Sequence, residues 1–262
     1  MKELDIFNMA LFNLQIFLLI FTRISSIFLT APIIASRNIP YITKIGLAFV
    51  ITVLLFPIIN KEIDLPTDIL LYLIIILNQV VVGIIIGFTA YVIFIAIQLA
   101  GQIIDLQMGF GIVNVIDPLS NMQVSIIGQF QFVLGILIFL VINGHHYLFK
   151  AISDSFSIVP LKSIGITQVT IDKLIDIFYG MFIIAFKIAG PATIALLLTN
   201  VTLGFIARTI PQMNVFIVGL PLNILVGIAA VLLSLPVIVN MLNSLFNSMW
   251  DDIYFIIRSM KV

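Results

Sequence analysis

The sequence predicts an all-α fold, a membrane-associated bundle of long, partly broken apolar helices. Of its 262 residues, 62% are hydrophobic and only 9% are charged. A soluble domain usually carries about a quarter charged residues, because its surface must face water. The apolar residues also fall in runs that approach or exceed the roughly 20 residues of a spanning helix. The exterior is therefore expected to contact lipid or the apolar surfaces of partner subunits.

Six apolar blocks supply the predicted helices. They are 9–34, 45–59, 69–104, 124–142, 174–207 and 216–240. The first and last each fit one spanning helix, whereas 45–59 is short for a span. The third and fifth are too long for one straight crossing. Points where a helix can break, kink or pass a neighbour closely occur inside them at Asn78-Gln79, Gly83, Gly87 and Gly190-Pro191.

The last segment of the chain has the pattern of an amphipathic helix. Its apolar residues recur at helical spacing, at Leu242, Leu245, Met249, Ile253 and Ile256. Such a stripe predicts a helix that lies on an interface or on a partner.

Composition and motifs exclude several classes of function. The net charge is zero, so no electrostatic footprint for nucleic acid exists, and the chain has no cysteine. No H-E-x-x-H, G-x-S-x-G or P-loop pattern occurs. The pair His145-His146 is expected in a wet interfacial loop. We therefore expect no enzyme, no cofactor and no metal. We also expect that the N-terminal segment is not a cleaved signal peptide, because its apolar run is too long.

Ionisable residues inside the apolar blocks are candidates for function. Arg23, Asp176 and Lys187 lie within blocks, and Arg208 ends one. Because a charge facing lipid costs several kcal/mol, each is expected to face a partner, a polar lumen or the bundle interior. The alternative is that the longer side chains reach an interface, which suits Lys187 and Arg208 better than Arg23.

Arg208 is predicted to stabilise structure, because a cation at a helix C-terminus complements the helix dipole. Pro211 is predicted to stop the helix, and with Gln212 and Asn214 to fix a hairpin turn.

The stretch "LQMGFGIVNVIDPLSN" (106–121) interrupts the apolar pattern with glycine and Asp-Pro. Irregular backbone at membrane depth survives only inside protein or against an aqueous cavity. One interpretation is an ordinary solvent loop, but its apolar side chains would then face water. The other is a plug that fills a constriction and excludes ions. Its residues are Gly109, Phe110, Gly111, Ile112, Val113, Asn114, Val115, Ile116, Asp117 and Pro118.

Three stretches resemble the FliR family of flagellar biosynthetic proteins, which has SpaR, YscT and HrcT counterparts in virulence type III secretion. They are "FTRISSIFLTAPIIASRNIP", "MGFGIVNVIDPLSN" and "TLGFIARTIPQMNVFIVGLPLNILVGI". The resemblance covers essentially the whole chain in order. Its most specific part is A-R-x-x-P-Q-x-N-x-F. Further matching residues are Arg37, Pro40, Asp117, Pro118, Gly219 and Pro221.

The resemblance implies a non-enzymatic subunit of the type III protein export gate. Its implied partners are FliP-like and FliQ-like subunits, an FlhB-like subunit, unfolded protein substrates and membrane lipid. It implies a FliP-like part over 1–173, which contains the plug loop, and a FliQ-like helical hairpin over 174–262. The implied location is the flagellar basal body in the bacterial inner membrane.

Two other functions stay open at this point. A small-molecule or ion transporter could use helices broken at Gly190-Pro191 and Pro221. An intramembrane protease is disfavoured, because no G-x-G-D or G-x-S-G pattern occurs. A transporter should work as a homo-oligomer, whereas a gate subunit should be unstable without different partner chains.

Overall fold

Helices make up most of the chain. The structure, a computed structural model, describes residues 2–36, 38–59, 65–66, 68–111, 125–162, 166–210, 212 and 214–261, with only the backbone described for 2–8, 215 and 216. The helices are α1 (Lys2–Thr30), α2 (Tyr41–Leu55), α3 (Ile69–Met108), α4 (Ile126–Val141), α5 (Gly144–Ile158), α6 (Gln168–Thr209) and α7 (Val215–Ser259). No strand occurs within these described ranges, and the all-α prediction is confirmed.

Among the described residues, four helices are long and apolar enough to cross a membrane. They are Met9–Thr30 of α1, α3, α6 and Ile217–Ser259 of α7. Helices α4 and α5 pass the same test only together, and a bend of 71° separates them. Asn143 lies at this bend with φ 59°, a left-handed conformation that asparagine tolerates better than most residues. This bent pair is the broken element of the predicted bundle.

The long apolar blocks are not interrupted at the points where the sequence allowed a break, a kink or a close helix approach. Helix α3 runs through Gly83 and Gly87, α6 runs through Gly190-Pro191, and α7 runs through Pro221. A proline removes one intrahelical hydrogen bond. The neighbouring backbone groups would stay unpaired in an apolar environment if the helix opened there, so the helix continues.

The chain divides into two compact units. Unit 1 contains Met1–Val92, Asn143–Ile177 and Asn247–Val262, and unit 2 contains Ile93–Ile142 and Phe178–Phe246. Helices α3, α6 and α7 therefore contribute residues to both units. The division into FliP-like and FliQ-like parts at 173/174 concerns likeness to other proteins and stays a prediction.

Unit 1 contains a close approach between α1 and α3. A Cβ atom on Gly83 would lie 2.6 Å from the carbonyl oxygen of Arg23, and one on Gly87 would lie 2.8 Å from that of Ile27. Only glycine fits at such distances, so the small-residue spacing serves helix packing. Helix α2 packs on α1 nearby, where the ring of Phe17 lies 5.6 Å from that of Phe49.

The interior of unit 2 is built around aromatic rings. The ring of Phe94 lies 5.6 Å from Phe139 and 5.4 Å from Phe246, centroid to centroid. All three side chains are fully buried. Edge-to-face and tilted pairs of this kind stabilise beyond the area that they bury.

The C-terminal amphipathic stripe is not on an external interface, contrary to the prediction. The segment is the continuation of α7, and Leu242, Met249, Ile253 and Ile256 are at most 1% exposed within the chain itself. Polar contacts hold the last turns in unit 1: Lys173 Nζ lies 2.7 Å from Asp252, and Tyr254 donates to Asp154 over 2.7 Å. The pattern identified a one-sided helix correctly, but no pattern tells which surface covers it.

Candidate functional site: a loop stem and a buried arginine

The loop that was predicted to be a plug leaves α3 through a well-defined helix end in unit 2. Gly109 has φ 92°. Its N–H bonds the carbonyl of Leu106, and the N–H of Phe110 bonds that of Asp105. These two bonds with a left-handed glycine form a Schellman motif, which pairs the last carbonyls of a helix. The conformation explains a glycine at 109, because other residues are strained there.

The same loop enters α4 through a helix start that two side chains cap. The hydroxyl of Ser125 accepts from the N–H of Gly128 at 2.8 Å. Both carboxylate oxygens of Asp105, on the last turn of α3, lie close to the N–H of Ile127, at 3.2 and 3.3 Å. The two ends of the loop are therefore joined by a charge-assisted hydrogen bond.

Two glycines allow the helices of this stem to pack closely together. A Cβ atom on Gly101 of α3 would lie 2.7 Å from the backbone carbon of Ile127. A Cβ atom on Gly227 of α7 would lie 2.7 Å from the sulfur of Met108. The last residue of α3 is thus held by α7, also within unit 2.

Of the predicted plug residues, only Gly109, Phe110 and Gly111 fall in the described chain. A Cβ atom on Gly111 would lie 3.2 Å from the side chain of Leu106. This contact is tight, but it does not by itself require a glycine. The rest of the predicted plug, Ile112–Pro118, lies outside the described residues.

Arg23 is fully buried in unit 1, in the middle of α1. Its Nε donates to the amide oxygen of Gln79 at 2.7 Å, Nη1 donates to the carbonyl of Ser155 at 2.9 Å, and Nη2 donates to that of Val159 at 3.1 Å. The guanidinium carbon also lies 4.5 Å from the ring centre of Phe156. Of the three environments expected for Arg23, the structure shows the interior of the helix bundle, within unit 1.

Two of the three acceptors lie at the C-terminus of α5, where the last carbonyls have few intrahelical donors. The carbonyl of Ser155 also accepts from the N–H of Val159, and Val159 is the residue directly after the helix. Gln79 completes the cap, since its amide nitrogen donates to the carbonyl of Leu161 at 2.7 Å. The negative end of the helix dipole favours a cation here. Among the described residues no carboxylate pairs with Arg23, so backbone and amide oxygens alone balance its charge.

The other three charges that the sequence marked as candidates lie on the outside of the described chain. Asp176, Lys187 and Arg208 are exposed. Arg208 lies in the last turn of α6, as predicted. A position in the bundle interior is thus excluded for these three, whereas contact with a partner, a lumen or an interface stays a prediction.

The connection between α6 and α7 is described only at residues 210, 212 and 214. Helix α6 ends at Thr209, Pro211 lies outside the described residues, and Gln212 is exposed. The side-chain oxygen of Asn214 lies 3.4 Å from the N–H of Ile217, the N-cap arrangement for α7.

The two helices of this hairpin then pack side by side. A Cβ atom on Gly219 would lie 3.3 Å from Leu203. Asn223 donates to Asn200 at 2.8 Å. Pro221 is exposed and lines an apolar groove on α7.

The connection from α1 to α2 contains two more predicted residues. Pro40 is the residue before α2, with φ −56°, and its carbonyl accepts from the N–H of Thr43 at 3.0 Å. Lys44 is buried and donates to the carbonyl of Ala35 at 3.0 Å. Arg37 lies outside the described residues.

The histidine pair is not in a loop, contrary to the prediction. His145 and His146 belong to the first turn of α5, with ring centres 4.2 Å apart. Asn143 in its left-handed conformation permits the helix to restart directly after the bend. Within the described ranges no group of three or more His, Cys, Asp or Glu residues could hold a metal ion.

Sequence reasoning missed two residues that matter most. Asp105 is the only charged residue among the 40 residues of α3, and that isolation was the available signal. Gln79 was considered only as part of a possible helix break, although a buried amide is also a natural partner for a buried cation.

These features define a class of protein. It is a helical membrane protein with a capped loop stem, a buried guanidinium and exposed charges on its spanning helices. The profile of "Bacterial export proteins, family 1" matches residues 14–249. The chain belongs to this family, as a membrane-embedded component of flagellar type III protein export.

Individual relatives agree with this assignment. The chain is 38% identical to the flagellar biosynthetic protein FliR of Bacillus subtilis (strain 168), over 88% of this chain and 90% of that one. It is 30% identical to FliR of Escherichia coli (strain K12), over 92% of each chain. With FliR of Aquifex aeolicus (strain VF5) the identity is 32%, over 93% and 94%. The resemblance to the FliR family is thereby confirmed.

Proposed function

We propose that this chain is a non-enzymatic subunit of the type III export gate, that it forms part of the secretion channel for flagellar proteins, and that its loop seals the closed pore. The observation that carries the proposal is the stem: Gly109 ends α3, Ser125 starts α4, and Asp105 joins the two helices. Helix ends that hold both sides of a loop in place suit a plug, because a seal must return to the same position.

The assembly is part of the same proposal. FliP-like, FliQ-like and FlhB-like subunits surround the chain in the bacterial inner membrane, at the flagellar basal body. Exposed apolar side chains on the described helices support this environment. Examples are Ile42 at 83%, Leu233 at 82% and Leu225 at 66% exposure. Residues 1–173 act as the FliP-like part and 174–262 as the FliQ-like hairpin.

Deleting Gly111–Ile116 tests the plug. The assembled complex should form, because the deletion leaves the stem bonds of Asp105 and Ser125 in place. Membranes that contain the complex should then conduct small ions at rest, since the apolar side chains no longer exclude water. Conductance across planar bilayers with the purified complex is the measurement.

A length-preserving variant separates loop chemistry from loop length. Replacing Phe110 and the aliphatic residues of 112–116 by serine keeps the backbone and removes the apolar surface, so it should also leak. A correctly assembled deletion complex in a tight membrane would refute the plug. Transport of a small solute by the isolated chain would instead support the alternative, a small-molecule or ion transporter.

A further inference from the structure

Asp105 is placed at an unusual position for a lone carboxylate. It is only 6% exposed, on the last turn of a helix whose other 39 residues carry no charge. A buried carboxylate is unfavourable unless hydrogen-bond donors surround it. The donor that the described structure gives it is the backbone N–H of Ile127, across the loop.

The N-terminus of α4 is suited to receive this carboxylate. The first N–H groups of a helix have no intrahelical partner, and the helix dipole favours negative charge there. Ser125 satisfies the N–H of Gly128 from within the helix, and Asp105 satisfies that of Ile127 from α3. The start of α4 thus has one local cap and one cap from the other end of the loop.

Close packing fixes the distance between the two caps. Gly101 and Gly128 face each other without side chains: a Cβ atom on Gly128 would lie 3.0 Å from the carbonyl oxygen of Gln98. The helices cannot approach further, and separating them breaks the Asp105 bond. The hydrogen bond of the Asp105 side chain therefore resists separation of α3 from α4, and loss of this bond would indicate that the two helix ends have separated.

We propose that Asp105 is a positioning residue for the loop, which clamps the start of α4 onto the end of α3 and so fixes the two points from which the loop emerges. This proposal rests on the proposed function for its physiological meaning, because the clamp matters to sealing only if the loop is a plug. The clamp itself is tested separately from sealing.

The first measurement is hydrogen–deuterium exchange of the α4 start in the purified complex. Asp105→Leu removes the acceptor, and exchange of the Ile127 N–H should become about tenfold faster, since a hydrogen bond to a charged group is lost. Asp105→Asn keeps an oxygen acceptor and should restore part of the protection. Asp251→Leu, the same change at an exposed aspartate of α7, should leave this exchange unchanged.

The second measurement is resting conductance of the same complexes. Asp105→Leu should leak, Asp105→Asn should leak less, and Asp251→Leu should stay tight. Unchanged exchange at Ile127 in Asp105→Leu would overturn the clamp. Faster exchange in a tight Asp105→Leu membrane, with a leaking loop deletion, would overturn the positioning role and leave the plug intact.

Two remaining outcomes are also decisive. If the loop deletion itself does not leak, the plug fails, and exchange alone then decides whether the clamp exists. If Asp105→Leu does not assemble, Asp105→Asn and Ser125→Ala replace it. Asp105→Asn should speed exchange at Ile127, and Ser125→Ala should do so at Gly128; no change at Ile127 in Asp105→Asn would overturn the charged clamp.

Discussion

Arg23 illustrates how a single residue organises the interior of unit 1. Its guanidinium replaces water as the donor for an amide and two carbonyls that come from α3 and from the end of α5. Burying a charge is costly, but removing it would leave the carbonyl of Val159 and the amide oxygen of Gln79 without this donor. The loss of these hydrogen bonds outweighs the relief of desolvation, so we expect substitutions of Arg23 to lower the stability of the chain.

We expect Arg23→Leu to destabilise the chain by about 2–4 kcal/mol, because buried acceptors left unsatisfied cost about 1–3 kcal/mol each. Arg23→Lys should lose less, since an ammonium still donates but lacks the planar fork. The midpoint of thermal unfolding in detergent measures both. Lys187→Leu, a change at an exposed cation, is the control. A more stable Arg23→Leu chain would mean that relief of desolvation outweighs the lost bonds.

Single residues also mark the limit of prediction from sequence. A charge inside an apolar block implies a buried partner, so the environment of Arg23 was predictable in kind. Its partners were not predictable, because Gln79 and Ser155 lie far from Arg23 in the chain. No fixed sequence spacing marks an amide that pairs with a cation. Asp105 was missed for a related reason: its partner is a backbone N–H, which every residue other than proline has.

At the scale of the helix, apolar length and composition predicted the spanning segments well, but not where they end. The third block was bounded at residue 104, whereas α3 continues to Met108. Glycine and proline left a break, a kink and a close helix approach open, and the helices continue because an opened backbone in an apolar environment cannot bond water. Gly83 and Gly87 mark a close approach to α1, which was one of these alternatives.

Gly83→Ala tests that contact. The added Cβ would lie 2.6 Å from the carbonyl oxygen of Arg23, so α1 and α3 must move apart, and overpacking of this kind costs about 1–3 kcal/mol. Gly46→Ala is the matched control, since a Cβ atom there would have nothing within 4 Å. It should be neutral or stabilising by up to about 1 kcal/mol, because alanine favours helix. Equal thermal midpoints for the two variants would contradict the close approach.

At the scale of the whole molecule, the described helices expose charge as well as apolar surface. Arg208 is exposed at the end of α6, and no carboxylate within the described ranges pairs with it. A cation in that position can complement the helix dipole and also a group on a neighbouring subunit. Its effect should therefore appear in the assembled complex more than in the isolated chain.

Arg208→Ala is expected to lower co-purification of this chain with its partner subunits several-fold, with little change in the thermal midpoint of the chain alone. Quantifying partner subunits that are retained on the tagged chain gives the measurement. Lys150→Ala removes the same charge at an exposed position of α5 and serves as the control. Complete assembly combined with lost export would instead assign Arg208 to the conduit.

Biosynthesis imposes an order on the arrangement of unit 1. Its first helix is α1, and among the described residues its last contribution is the end of α7, where Met249, Ile253 and Ile256 are buried. A ribosome produces these two parts far apart in time, and contacts of such long sequence separation form slowly. The surfaces of α5 and α6 that contact the end of α7, at Asp154 and Lys173, must therefore be covered by lipid or by other subunits until translation reaches that end. Unit 1 completes its folding only after the end of α7 has been synthesised.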